Sequence, residues 1–98
     1  MIEIREMDVF SSWLARLRDQ EAKVRIAIRI RRLAFGNAGD VAPAGEGLSE
    51  VRIHHGAGYR VYFVRQGPKI VVLLRGGDKA SQQKDFARAK ALANEWKE

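Results

Sequence analysis

The sequence predicts a single α+β domain that spans residues 1–98 and contains a mainly antiparallel sheet. Two observations indicate this class. The first half has two stretches whose apolar residues recur every three or four positions, which is the period of a helix. The second half has three strand-like stretches joined by turns that contain glycine, and then a last helical stretch. The expected order is therefore β-α-α-β-β-β-α, with an N-terminal helical hairpin and a C-terminal helix.

Composition indicates a globular protein of the cytoplasm. The chain has 98 residues, 46% of them apolar and 31% charged, which leaves no room for a second core. It contains no Cys, so it has neither disulfides nor thiolate ligands, as is usual in a reducing compartment. The N-terminus lacks the apolar run of a signal peptide, and no stretch has the length and apolar character of a membrane span.

The net charge of the chain is +6 at neutral pH. Such an excess favours polyanionic partners, because binding releases counterions and the charge steers the encounter. Charge alone does not distinguish RNA, DNA, an anionic lipid surface and an acidic protein. A basic domain without any such partner has the same composition.

The N-terminal elements are a strand and a helix. Residues 2–6 alternate apolar and charged side chains and predict the strand. Asp8 can cap the helix that follows. One face of this helix carries Val9, Trp13 and Leu17. A break is expected at Asp19 or Gln20.

A longer helix is predicted over residues 21–35, which contain neither Gly nor Pro and end before Gly36. Its main apolar stripe consists of Ile26, Ala27, Ile30, Leu33 and Ala34. A second apolar set comprises Val24, Ile28 and Phe35, and it predicts that the helix is covered on two sides, by the first helix and by the sheet. Arg25, Arg29 and Arg32 form a positive ridge. A solvated outer face explains this ridge better than a nucleic-acid contact does.

The middle of the chain predicts an irregular connector and then a sheet. Residues 36–47 hold four Gly and one Pro, which argues against regular structure. Strands are expected over residues 48–54, 59–65 and 70–75, joined as consecutive antiparallel hairpins. The last of them is continuously apolar over residues 70–74, which is typical of a strand buried on both faces.

The C-terminal stretch predicts a helix. Gly76 and Gly77 turn the chain, and Asp78 or Ser81 caps the helix. Its apolar stripe consists of Phe86, Ala89, Ala93 and Trp96.

Strand alternation gathers four polar side chains on one face of the first hairpin. If Val51, Ile53, Val61 and Phe63 enter the core, the opposite face carries Arg52, His54, Arg60 and Tyr62. Two guanidinium groups, an imidazole and a phenol can together hold a phosphate, transfer a proton near neutral pH and stack on a base. An ordinary solvated face, on which Glu50 neutralises an arginine, explains the same residue types equally well.

The sequence predicts neither a metal nor another cofactor. His54 and His55 are adjacent, so in a strand they point to opposite faces. There is no HExxH, no carboxylate cluster and no Cys–His spacing. Nucleophile-elbow and Walker sequences are absent as well.

Two stretches, GEGLSEVRIHHGAGYRVYF and LLRGGDKASQ, resemble the RelE/ParE superfamily of toxins from type II toxin-antitoxin systems. The resemblance covers nearly the whole chain and is greatest to the HigB-like branch of addiction module killer proteins. It implies a RelE-like fold and no membrane contact. RelE-like members are ribosome-dependent endonucleases that cut mRNA, whereas ParE-like members poison DNA gyrase without being enzymes. In the HigB-like branch the inhibitory antitoxin is typically a helix-turn-helix protein encoded by an adjacent gene.

The resemblance also implies roles for particular residues. Arg60 and Lys79 would stabilise the charge of the transition state, and His54 would be the general base or acid. The residues expected to contact RNA are Arg52, Tyr59, Tyr62, Arg75 and Lys84. A solvated charge explains Arg75 and Lys84 equally well, and either tyrosine could serve in proton transfer instead of stacking on a base. Some RelE relatives have a proton-transferring Tyr or His early in the last helix, where this chain has Asp85 and Phe86. The general acid is therefore unassigned, and a catalytically decayed, antitoxin-binding partner is a further alternative.

Overall fold

The computed structural model describes residues 1–96. The elements in chain order are β1 (Glu3–Glu6), α1 (Asp8–Arg16), α2 (Gln20–Ala34), β2 (Val41–Gly45), β3 (Leu48–Ile53), β4 (Tyr59–Gln66), β5 (Ile70–Asp78) and α3 (Gln82–Glu95), with a short 3-10 turn (Lys79–Ser81) before α3. The strands form one sheet in the order β1-β5-β4-β3-β2. Residues of α1 and α2 pack mainly on one face of this sheet, and α3 packs on the other.

The predicted fold class is wrong in two respects. The stretch predicted as an irregular connector contains the strand β2, so the order is β-α-α-β-β-β-β-α and the sheet has five strands. In addition, β1 runs parallel to β5, so the sheet is mixed, and only its other three strand pairs are antiparallel. The first difference adds β2 at one edge of the sheet, paired with β3, and the second places β1 at the other edge, paired with β5.

The strand β2 forms at the edge of the sheet despite its glycines and proline. Val41 pairs with Val51 and Pro43 with Ser49, and a bulge follows Pro43. Proline is tolerated in an edge strand, where its missing N–H leaves no ladder bond unmade. A tight turn that includes Gly47, whose φ is 82°, then returns the chain to β3.

The strand β5 lies between β1 and β4, and this explains its continuously apolar sequence. Glu3 of β1 pairs in parallel with Ile70, and Glu6 pairs with Leu73. Residues 71–74 are buried. The predicted burial of this strand on both faces is confirmed.

Aspartate side chains cap the start of α2 and the start of the 3-10 turn. Asp19 is the N-cap of α2, and its Oδ1 accepts a hydrogen bond from the backbone N–H of Ala22 at 3.0 Å. Asp78 caps the 3-10 turn by accepting from the N–H of Ser81 at 3.1 Å. Met7, not the predicted Asp8, is the N-cap residue of α1.

The outer side of α2 is exposed, so the predicted cover on two sides is wrong. Val24, Ile28 and Phe35 keep 57%, 45% and 66% of their surface exposed. The reason is that α1 packs against β5 and not along α2. Only the inner stripe of α2 enters the core.

Arg29 ties α2 to the loop before β2 and to β3. Its guanidinium donates to the carbonyl oxygens of Ala38, Asp40 and Arg52 at distances of 2.7 to 3.0 Å. Partial burial lowers the pKa of Arg29. This arginine is therefore a structural cross-link rather than part of a free positive ridge, and it holds Asp40 beside the end of β3.

Candidate functional site

The β3–β4 hairpin carries the polar face that strand alternation predicts. Arg52 lies opposite Arg60 in the register, and Glu50 lies opposite Tyr62. The valines between them enter the core under α1 and α2, so these four side chains occupy the face on which α3 packs. Tyr62 is covered by α3, whereas the side chains of Arg60 and Arg52 keep 17% and 37% of their surface exposed.

A buried carboxylate lies between the two arginines. Glu50 is 4% exposed. Its Oε2 accepts a hydrogen bond from Nη1 of Arg60 at 2.8 Å, and its Oε1 lies 3.4 Å from Nη2 of Arg52. Carboxylate hydrogen bonds of this kind are strong and directional. Glu50 therefore fixes both guanidinium groups and neutralises part of their charge, as the ordinary structural explanation of this face requires.

The two adjacent histidines approach different carboxylates. His54 follows the end of β3, is largely exposed, and places Nε2 2.5 Å from Oδ2 of Asp40. This hydrogen bond lowers the pKa of Asp40. His55 is less exposed and places Nε2 3.2 Å from Oδ2 of Asp19. The bond to Asp40 leaves Nδ1 of His54 as the ring nitrogen available to a substrate.

Five of the eight predicted site residues line one depression. The depression has a volume of about 100 Å³ and lies where β3 ends and β4 begins. The predicted residues that line it are Arg52, His54, Tyr59, Arg60 and Lys79. At roughly 30 Å³ per water molecule, the space holds about three waters, which suits a phosphate-sized group rather than a whole nucleotide.

Lys79 reaches the depression from the 3-10 turn after β5. Its backbone N–H bonds to the carbonyl of Ala57 in the β3–β4 turn at 3.4 Å, which joins the two segments. A Cβ atom on Gly58 would lie 3.5 Å from Cβ of Lys79, so the turn passes close to this side chain. Tyr59 also lines the depression, and its pKa is raised by burial and then by the carboxylates of Asp19 and Asp78.

The other three predicted residues lie elsewhere. Tyr62 is 1% exposed beneath Phe86, and its hydroxyl donates to the carbonyl of Gln82 at 3.4 Å, so no face of the ring is available to a base. Burial, and then Glu50, raises the pKa of Tyr62. Lys84 is exposed on α3 and does not line the depression.

Arg75 lies on the α3 side of β5. Its Nε donates to Oδ1 of Asp85 at 2.9 Å, and Oγ of Ser81 donates to Oδ2 of the same carboxylate at 2.5 Å. Asp85 is 2% exposed. Asp85, early in α3, is thus a buried aspartate whose two carboxylate oxygens both accept hydrogen bonds. Arg75 also borders a separate cavity of about 640 Å³ beside α1, together with Arg16 and Arg18.

The sequence did not predict that Asp40 belongs to this arrangement, and it predicted only a structural role for Glu50. Asp40 gave no signal, because its position beside His54 depends on the path of the connector and on Arg29. Glu50 was expected only to neutralise an arginine. Within residues 1–96, no group of three or more His, Asp or Glu could hold a metal ion. In the same part of the chain, no helix has the length and apolar character needed to cross a membrane.

The fold and the site define a class: a small α+β protein with a basic depression at one end of its sheet. No family model matches the chain. Over 94 residues it is 48% identical to a protein of Haemophilus influenzae described as an uncharacterized protein. The match covers 96% of this chain and 95% of that relative. The chain therefore belongs to the same family as the Haemophilus protein.

Proposed function

We propose that this chain is the toxin of a type II toxin-antitoxin module, of the HigB-like branch of the RelE/ParE superfamily. In this proposal it cuts mRNA on the ribosome in the cytoplasm, needs no metal, and is held inactive by a helix-turn-helix antitoxin. The resemblance of its hairpin and GGDK stretches to those toxins supports the family. The depression that unites Arg52, Arg60, Lys79 and His54 is the observation that carries the activity.

The chemistry that suits this depression is attack by a ribose 2′-hydroxyl on the neighbouring phosphate. His54 takes the hydroxyl proton on Nδ1 while Asp40 holds the ring by its other nitrogen. The bond from the 2′-oxygen to phosphorus forms, and the bond from phosphorus to the 5′-oxygen breaks. Arg60 and Lys79 neutralise the charge that grows on the phosphate oxygens.

The departing 5′-oxygen needs a proton, and Tyr59 is the proposed donor. It lines the depression while its ring packs edge-on against Trp13, and a phenol is protonated at neutral pH. Tyr59 would replace the Tyr or His that relatives carry early in the last helix. Arg52 then orients the phosphate from the side of β3.

Induced expression of single variants tests the proposal. The wild-type chain is expected to arrest growth with rapid loss of protein synthesis and with cleaved transcripts. Arg60→Ala and Lys79→Ala should each slow transcript cleavage by about a hundredfold or more. Arg65→Ala and Lys69→Ala are matched controls near the opposite end of β4, and they should cleave like the wild type.

The fold must be checked separately, because removal of Arg60 leaves Glu50 without its closest cation. Circular dichroism melts identify a variant that fails only because it unfolds. Lys79 is exposed and has no carboxylate partner among residues 1–96, so Lys79→Ala should melt like the wild type. Undiminished cleavage by folded Arg60→Ala and Lys79→Ala proteins would exclude the proposed site.

The pairing of both arginines with Glu50 favours a second candidate function without catalysis. Guanidinium groups that are already bound to a carboxylate need no phosphate to explain them. A gyrase inhibitor would cause DNA breaks and an SOS response without transcript cleavage. A catalytically decayed partner of the antitoxin would have no effect on growth.

A further inference from the structure

The outer side of α2 carries an exposed apolar stripe. Val24 and Ile28 are one helical turn apart, and Phe35, directly after the helix, continues the line. All three are exposed, whereas Ala22, Ile26 and Leu33 on the inner side are buried. A helix that is apolar on two sides but covered on one is typical of a protein that binds a partner through the other.

Positive charge surrounds this stripe. Arg31 lies between Ile28 and Phe35 along the helix, and Arg32 and Arg25 flank the same side. Arg25 bonds to Glu21 at 3.2 Å, but neither Arg31 nor Arg32 has a carboxylate partner in the described part of the chain. A complementary surface therefore carries apolar side chains together with Asp or Glu.

A groove beside Ile28 favours a segment of another protein as the partner over a lipid surface. It has a volume of about 370 Å³ and is lined by Arg25, Ile28, Arg29, Arg32, Ile53 and His54. A side chain of a protein segment can enter such a groove, whereas a flat lipid surface cannot. A second copy of this chain would bring its own arginines and a charge of +6 to the same place, so charge repulsion opposes it.

We propose that the outer side of α2 is the docking surface for an acidic, amphipathic helix of a partner protein. Its apolar side chains cover Val24, Ile28 and Phe35, and its carboxylates pair with Arg31 and Arg32. Because His54 lines the groove, an acidic side chain bound there competes with Asp40 for the imidazole and disturbs the candidate site. Only the identification of this partner as the antitoxin rests on the proposed function.

Fluorescence anisotropy with a synthetic peptide tests the docking surface. The probe is a labelled helix of Leu and Glu, about four turns long, with Leu on one face. It is titrated with the purified full-length chain, beside a scrambled peptide and a peptide with Lys in place of Glu. The acidic amphipathic peptide should bind at least about tenfold more tightly than the other two.

Two variants of the surface should abolish this preference. Ile28→Asp removes an apolar contact and Arg31→Glu reverses a charge, and each should weaken the binding of the acidic peptide by about tenfold. Arg88→Glu changes an exposed arginine of α3 and is the matched control, which should bind the peptide like the wild type. All three altered side chains are exposed, so their circular dichroism melts should match the wild type. If Ile28→Asp unfolds, the comparison of Arg31→Glu with Arg88→Glu still decides.

Other results would overturn the inference. Equal binding of acidic and scrambled peptides, or binding unchanged in both surface variants, excludes an acidic helix as the occupant. A dimer seen by light scattering that Ile28→Asp abolishes would identify a second copy instead. Flotation with phosphatidylserine vesicles that Ile28→Asp abolishes, without peptide binding, would identify a lipid surface. Peptide binding needs no RNA cleavage, so this inference and the proposed nuclease can fail separately.

Discussion

In the candidate site, the guanidinium groups of Arg52 and Arg60 share the buried carboxylate of Glu50, and this one residue fixes their positions. Glu50 contacts Arg60 at 2.8 Å and Arg52 at 3.4 Å from a position that is 4% exposed. Neutralisation by Glu50 lets two arginines lie on adjacent strands directly opposite each other, where like charges otherwise repel. Within residues 1–96, Nε of Arg52 is buried without a hydrogen-bond partner, so a phosphate can reach only other N–H groups of the two arginines.

Removal of this carboxylate should destabilise the protein. Glu50→Ala leaves Arg60 largely buried and without its counter-ion, so we expect the free energy of unfolding to fall by about 2 kcal/mol. Glu46→Ala is the matched control, because it breaks an exposed pair with Lys90 and should change stability by no more than about 0.5 kcal/mol. Urea unfolding measures both. Equal losses of unfolding free energy in Glu50→Ala and Glu46→Ala would show that the buried ion pair stabilises the protein no more than the exposed one.

Part of the site could be predicted from the sequence, because strand alternation is a local rule. It places Arg52 and Arg60 on one face, and the structure has them there. Tyr62 obeys the same rule but lies beneath α3, whose position depends on distant packing. His54 lies after the strand ends and is oriented by Asp40, and no local pattern gives that contact.

Two adjacent glycines allow helices to approach β5 from opposite faces. A Cβ atom on Gly76 would overlap the ring of Trp13 in α1, and one on Gly77 would overlap the carboxylate of Asp85 in α3. Neither neighbour can simply swing away, since Asp85 is held by Arg75 and Trp13 packs against the core. The sequence predicts a turn at Gly76 and Gly77, but in the structure both residues lie within β5.

Gly76→Ala and Gly77→Ala should each lower the free energy of unfolding by about 2 kcal/mol through overpacking. Tryptophan fluorescence distinguishes the two variants when it is measured in a Trp96→Phe background, in which only Trp13 emits. Gly76→Ala should shift the emission of Trp13, whereas Gly77→Ala should leave it near the wild-type spectrum. Wild-type stability of both variants would contradict the close packing of α1 and α3 on β5.

The missed strand and the missed parallel pair have a common physical origin. The composition of residues 36–47 predicts an irregular connector, but Val41–Gly45 needs only one partner strand and lies at an edge that tolerates Pro43. The β1 sequence shows that it is a strand without showing which strand it joins. Local rules identify elements well, whereas the partner of an edge strand is decided by the whole sheet.

At the scale of the whole molecule, helices cover both faces of the sheet but leave basic surfaces uncovered, and two of these share a residue. One is the depression at the end of the β3–β4 hairpin, and the other is the outer side of α2. His54 lines both the depression and the groove beside α2. A partner that covers the second surface therefore reaches the first without wrapping around the protein.

The excess of positive charge should make the whole molecule sensitive to acid. As pH falls, the twelve carboxylates lose their charge while eighteen Lys and Arg keep theirs, so self-repulsion grows. The titration of Asp19, the N-cap residue of α2, adds to this sensitivity to acid. The backbone N–H of Ala22 is the main cause that lowers the pKa of Asp19 below its ordinary value of 3.8. A lowered pKa in the folded state stabilises the protein above the ordinary value, and this contribution is lost as pH falls through the folded value.

The substitution Asp19→Asn separates the contribution of overall charge repulsion from the contribution of the Asp19 cap. Asparagine also caps a helix but does not titrate, so the free energy of unfolding should fall less steeply than in the wild type between about pH 5 and pH 3. Asp8→Asn removes one carboxylate that caps no helix and serves as the control for the change in net charge. Added salt should flatten all three curves, because it screens the repulsion, but it should preserve the difference between Asp19→Asn and the wild type. Parallel curves for Asp19→Asn and the wild type would mean that acid unfolding comes from overall repulsion and not from the α2 cap.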